Sequence, residues 1–168
     1  MGLPGRRRRS REGEVRGLGL RGGAERSRAR QAPLAWLSTR RTSSSWLAEH
    51  LNDASVVVAE VDEDPDLYEG GHIVGAVKLH WRDDLQDPLE RDLVDREAFE
   101  RLMGRLGISN ASTVVLYGDK NNWFAAFAYW YLKVYGHEDV RVLDGGRQKW
   151  LDERRELTTG VPSPERAE

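Results

Sequence analysis

Val114-Val115-Leu116-Tyr117-Gly118-Asp119-Lys120-Asn121-Asn122-Trp123 is a short apolar strand that breaks into a polar loop and then opens an aromatic helix. In an α/β domain, the loop after the carboxyl end of a parallel strand, where the next helix begins, is the usual seat of an anion site or a nucleophile. The residue at this corner is Asp119, a carboxylate, and the chain contains no cysteine. Zero Cys excludes disulfides, Cys-ligated zinc, iron–sulfur clusters and thiolate catalysis within this chain.

On either side of this corner, strands alternate with helices. Ser45 is placed to cap a short helix through Leu51, with Trp46, Leu47 and Leu51 near one face. The β-branched run over 56–61, bounded by Asp53 and Asp62, predicts a strand buried on both faces. A shorter strand follows over 76–79, and the segment 62–66 between the two is a turn or helix entry. Asp95 caps a helix whose Phe99, Leu102, Met103 and Leu106 fall at i, i+3, i+4 and i+7, with Gly107 ending it. Then come a strand over 113–117, the loop, a helix over 123–135 stopped by Gly136, and a strand over 140–143. The turn Asp144-Gly145-Gly146 leads into a short helix around Trp150. These βα units predict an α/β fold with a mostly parallel central sheet and helices on both faces.

A chain of 168 residues suits one domain with a substantial core. The formal charge of -2 hides a division. Residues 1–41 hold 12 Arg, no Lys and 3 Glu, a balance of +9, whereas the 14 basic and 25 acidic residues of 42–168 give -11. The basic, Gly-rich arm has few apolar anchors and cannot bury enough surface to order itself, so residues 1–41 are expected to be a disordered extension. A nucleic-acid role for it is not expected. Leu18, Leu20, Leu34, Trp36 and Leu37 are too scattered for a membrane span or a secretory segment, which makes the cytoplasm the default compartment. Pro162 and Pro164 among charged residues mark 161–168 as a linker or truncated tail.

Candidate chemistry centres on the loop. Backbone N–H groups at a helix start, helped by the macrodipole, form an anion-binding concavity, and Asp119 beside Lys120 could serve there as nucleophile or base. The plainer and favoured expectation is that Asp119 or Asn122 caps the next helix, a role worth about 1 kcal/mol. Phosphoryl-transferring hydrolases of the haloacid-dehalogenase type need a second Asp two positions after the first, and Asn121 stands there instead. His50, His72, His80 and His137 are unclustered and form no metal-ligand pattern, so neither a metal nor a cofactor is expected. The helix over 123–135 holds Trp123, Phe124, Phe127, Tyr129, Trp130, Tyr131 and Tyr135, half of the 14 aromatics, with Lys133 as its only charge. The stripe Trp123, Phe127, Trp130 and Val134 is expected to face the sheet, with Phe124 and Tyr131 off it. A helix apolar on most sides calls for burial on more than one face, which implies a partner surface.

Tyr68-Glu69-Gly70-Gly71-His72-Ile73-Val74-Gly75-Ala76, the Asp119 loop, Tyr135-Gly136-His137 and Val142-Leu143-Asp144-Gly145-Gly146-Arg147-Gln148-Lys149-Trp150 follow one another in an order that closely resembles a rhodanese domain. More narrowly, the chain is similar to the amino-terminal domain of two-domain thiosulfate sulfurtransferases, over residues 43–160. Val74 replaces the usual Pro of the first motif, which changes turn stiffness rather than chemistry. In that family, thiosulfate or mercaptopyruvate gives its outer sulfur to a Cys thiolate, and the persulfide passes it to cyanide or a thiol. The resemblance puts Asp119 at the position of that Cys, so no catalytic residue is assigned and the chain is expected to be inactive by itself. It also implies a silent domain whose loop residues Asp119, Lys120, Asn121, Asn122 and Trp123 help to wall a cleft. A second rhodanese domain or chain would dock on the helix from Trp123 to Tyr135. The alternative is a free-standing binding module that uses the same aromatic helix.

Overall fold

The computed structural model describes residues 40–87, 89 and 92–163. Residues 1–39 of the basic arm and the tail beyond 163 therefore lie outside the described residues. Among the described residues the five strands are β1 (Arg41–Thr42), β2 (Val56–Glu60), β3 (Val77–Lys78), β4 (Thr113–Tyr117) and β5 (Val140–Leu143). The helices are α1 (Ser44–His50), α2 (Asp66–Glu69), α3 (Arg96–Arg105), α4 (Trp123–Val134) and α5 (Gly146–Asp152), with a 3-10 turn at Lys120–Asn122. The strands join in the order β1-β5-β4-β2-β3, and every pairing is parallel. An α/β architecture with a parallel central sheet is thus what the chain adopts.

Side chains alternate along the central strands and so divide the core in two. Ala59, Val114 and Leu116 point to the face covered by α3 and α4, where Phe99, Leu102, Met103, Ala125, Ala128, Tyr131 and Leu132 pack. Val58, Val115 and Tyr117 point to the other face, beneath Leu47 of α1 and Trp150 of α5. Helices cover both faces, and the sheet is buried as its β-branched strands require.

The helix ends follow local chemistry. Asp95 accepts from the Ala98 N–H at 2.7 Å and starts α3. Both α3 and α4 stop in Schellman turns. Gly107 (φ 73°) and Gly136 (φ 89°) take the left-handed position while the Ile108 and His137 amides reach back to Met103 and Leu132. For α1 the cap is Ser43, which accepts from the Trp46 N–H at 3.1 Å, not Ser45. In the run of three serines, Ser44 Oγ is drawn away to donate to Glu153, which fixes the register two residues earlier. Arg41 and Thr42 form the edge strand β1, across the boundary at 41 that composition suggested.

The orientation of α4 corrects another expectation. Ala125, Ala128, Tyr131 and Leu132 are the residues that lie against the sheet. Trp123, Trp130 and Val134 face outward, at 73%, 50% and 49% exposure. The small alanines allow a close approach of helix to sheet that a row of tryptophans would prevent. Tyr131 closes the stripe by accepting from the Val94 N–H at 2.9 Å.

Candidate functional site

β4 delivers its last residue, Tyr117, to the carboxyl edge of the sheet beside the last residue of β2, Glu60. The chain then turns through Gly118, which lies so close to β2 that a Cβ there would overlap the Val61 carbonyl. Lys120, Asn121 and Asn122 follow with φ of 43°, 57° and 64°. Three successive non-glycine residues in the left-handed region are unusual. Asn tolerates that region, whereas Lys120 carries strain, of the kind that collects at functional loops.

Asp119 and Asn122 do occupy the two N-cap positions, of the 3-10 turn and of α4, but neither side chain caps a helix. Asp119 Oδ1 instead accepts from the Glu63 N–H at 2.9 Å, while its own N–H donates to Asp62 Oδ1 at 2.7 Å. Asn122 braces the turn from inside: Oδ1 accepts from the Gly118 N–H at 3.0 Å and Nδ2 donates to the Leu143 carbonyl at 2.7 Å. A Cβ on Gly146 would collide with that amide, so α5 closes on the loop only through glycine. Lys120 extends outward to Glu63 at 3.4 Å. Trp123, the fifth candidate, stands exposed on the rim. The five residues named from the sequence are therefore contiguous on one turn.

The loop's polar groups are largely spent on one another. The amides of Gly118, Asp119, Asn122 and Trp123 all donate within the chain. The carboxyl groups of Asp62 and Asp119 lie against its inner side, and Glu63 pairs with Lys120 on the outer side. Such a turn is poorly prepared to receive an additional anion.

Four further residues support it, none of them singled out from the sequence as site residues. Glu60, with a fully buried side chain, accepts a short hydrogen bond from Tyr117 Oη and pairs with Arg147 Nη1. Arg147 Nη2 also donates to the Gly71 carbonyl at 2.5 Å, and Tyr117 Oη accepts from the Ile73 N–H at 2.9 Å. The loop, β2, α5 and the Gly-Gly-His turn are thereby tied into one network. Asp62 lies over Glu60, and burial, reinforced by a hydrogen bond and like charge from Glu60, pushes its carboxyl up to about 8. Burial likewise raises the Tyr117 hydroxyl, with Glu60 adding to the shift, so it stays a donor. The available signal was Glu60 itself, an acid inside a strand that reads as buried on both faces, which demands a buried cation.

His72 is fully buried, stacked on Tyr68, and bonded to the Tyr68 and Gly160 carbonyls. It is a structural residue of the turn. Among the described residues no group of three or more His, Asp or Glu is arranged to hold a metal, and no helix is long and apolar enough to cross a membrane.

The rhodanese-like domain model matches residues 43–153, and the chain belongs to that family. "Sulfur carrier protein TtuD" of Thermus thermophilus is 60% identical over 121 residues, which cover 72% of this chain and 42% of that protein. A protein of Saccharopolyspora erythraea named "Putative thiosulfate sulfurtransferase" is 57% identical over 121 residues, covering 72% and 43%. Among solved structures, SseA from Escherichia coli, described with the 3-mercaptopyruvate sulfotransferases, superposes with a TM-score of 0.71 at 28% identity. That match covers 77% of this chain and 54% of SseA. The chain thus spans about two fifths of the curated relatives it matches, the share that one half of a two-domain protein would take.

Proposed function

We propose that this chain is the non-catalytic half of a two-domain sulfurtransferase of the thiosulfate and 3-mercaptopyruvate type, incompetent alone and serving to wall the active-site cleft. The observation that supports this proposal is a chain without any cysteine whose turn after β4 carries Asp119, the position to which the resemblance assigns the family's Cys. Sulfane transfer requires a sulfur nucleophile that can form and break an S–S bond, and a carboxylate cannot. The amides of the turn, satisfied within the chain, support the same conclusion, because they leave little to attract an anionic donor. Purified chain incubated with thiosulfate and cyanide should yield no thiocyanate above buffer. Turnover that persists after contaminating enzyme has been excluded overturns the proposal.

The outward tryptophans favour a second reading, a binding module whose partner covers α4. Both readings place a partner on Trp123 and Trp130. In the first it is a Cys-bearing rhodanese domain. Titrating such a domain against the chain and its Trp130→Glu variant decides between them: binding weakened by the substitution supports the cleft-forming role, and absence of binding to either favours an unrelated partner.

A further inference from the structure

The apolar side chains that α4 turns outward follow a regular pattern. Trp123, Phe127, Trp130 and Val134 are spaced by four, three and four residues, the interval at which one helix packs along another. They fall on one narrow arc of the helix, opposite Ala125, Ala128 and Leu132, which meet the sheet. Trp123, Trp130 and Val134 are exposed, and Phe127 lies partly buried beside them with its ring 6.1 Å from that of Trp130. The stripe itself is uncharged. Lys133, the only ionic side chain of the helix, turns its Nζ back to donate to the His137 and Glu138 carbonyls at 2.7 and 2.9 Å. No group on the stripe calls for a counter-charge, so the surface that matches it is apolar as well.

The order of sizes along the stripe narrows the choice of that surface. When α4 is laid end for end against a copy of itself about a twofold axis, position 123 meets 134 and position 127 meets 130. Trp123, a large side chain, then faces Val134, the smallest of the four, and Phe127 faces Trp130. Bulk lies against a short side chain at both ends, and the aromatic rings gather at the axis. A patch of this kind is complementary to itself, which is what an isologous interface requires.

We infer that the outward stripe of α4 is the interface of a homodimer, in which the helices of two copies pack antiparallel at roughly 20°. Two indoles of about 250 Å² at 73% and 50% exposure offer roughly 300 Å² per copy. With Phe127, Val134 and their flanks, the pair buries on the order of 1,000 Å² in total, the size of a weak, reversible interface. Net charge does little to oppose it, since the whole chain carries a formal charge of only -2. The stripe is the same whether or not the chain is half of a sulfurtransferase, and a Cys-bearing domain would compete with the second copy for it.

The test is sedimentation velocity of the full chain from about 2 to 500 µM, a range that brackets the affinity of an interface this small. The mean sedimentation coefficient should climb from monomer toward dimer with a Kd on the order of 10–100 µM. Trp130→Glu buries a charge beside the axis in both copies and should weaken association at least about tenfold. In a concentrated sample mixed from ¹³C-labelled and unlabelled chain, isotope-filtered NOEs should join Trp123 of one copy to the Val134 methyls of the other. A chain that stays monomeric across the range overturns the inference, and if its α4 amides then shift only when a Cys-bearing rhodanese domain is added, that domain is the occupant. Association that Trp130→Glu leaves unchanged also overturns it, because the copies then meet elsewhere. So does a filtered spectrum without contacts between Trp123 and Val134. The concentration series and the filtered spectrum use the unsubstituted chain, so neither depends on the variant folding.

Discussion

Gly118 and Asn122 show how little freedom single residues have at this corner. A methyl at Gly118 would enter the Val61 carbonyl, which is backbone and cannot swing aside. Gly118→Ala should therefore lower stability by about 1–3 kcal/mol, as overpacked sites do, measured by denaturant midpoint. A midpoint unchanged from the parent would mean that β2 and β4 are further apart than described. Asn122→Ala removes the acceptor of the Gly118 N–H and puts Ala in the left-handed region at φ 64°. A loss of about 1–3 kcal/mol is expected there too, with faster exchange of the Gly118 amide as its particular signature. The sequence displayed Asp119, Lys120, Asn121, Asn122 and Trp123 as a loop because polar residues interrupt an apolar run. It did not display their bonding. Asp119 and Asn122 suit helix caps equally well, and only the approach of Glu63, Asp62 and Leu143, distant along the chain, diverts them to other partners.

Among the elements, strands β4 and β5 were legible to the residue, because short valine-rich stretches flanked by polar turns leave few alternatives. β1 was not, since Arg41 and Thr42 carry no strand signal and become one only by pairing with Val142 and Leu143. The inward face of α4 was also illegible. When nearly every position is apolar, periodicity cannot choose a side, and packing distance decides in favour of Ala125 and Ala128. The two faces should respond oppositely to substitution. Trp130→Glu, at a half-exposed position, is expected to stay within about 0.5 kcal/mol of the parent. Tyr131→Phe removes the acceptor of the part-buried Val94 N–H and should cost about 1 kcal/mol. Paired melting curves check both, and a large loss from Trp130→Glu with none from Tyr131→Phe would reverse the assigned orientation.

For the whole molecule, Asp62 makes stability depend on pH with an unusual sign for an acid. Its folded carboxyl sits near 8 against 3.8 unexposed to the fold, so the native chain keeps a proton that the unfolded chain has already released. The associated stabilisation is complete below about 3.8, declines as pH rises through the interval, and is gone above about 8. Asp139 acts in the other direction. Its hydrogen bonds from Arg141 hold its carboxyl below 3.8, a contribution lost as pH falls through that lowered value. The melting temperature should therefore decline between pH 5 and 8 less steeply in Asp62→Asn than in the parent. Equal slopes would remove Asp62 from the titration. The central claim is chemical and has a direct readout: intact mass of the isolated chain after treatment with thiosulfate or 3-mercaptopyruvate. On the proposal that Asp119 stands where the family places its Cys, the mass should be unchanged. A gain of one sulfur atom, retained under denaturing conditions and released by a thiol, would contradict it.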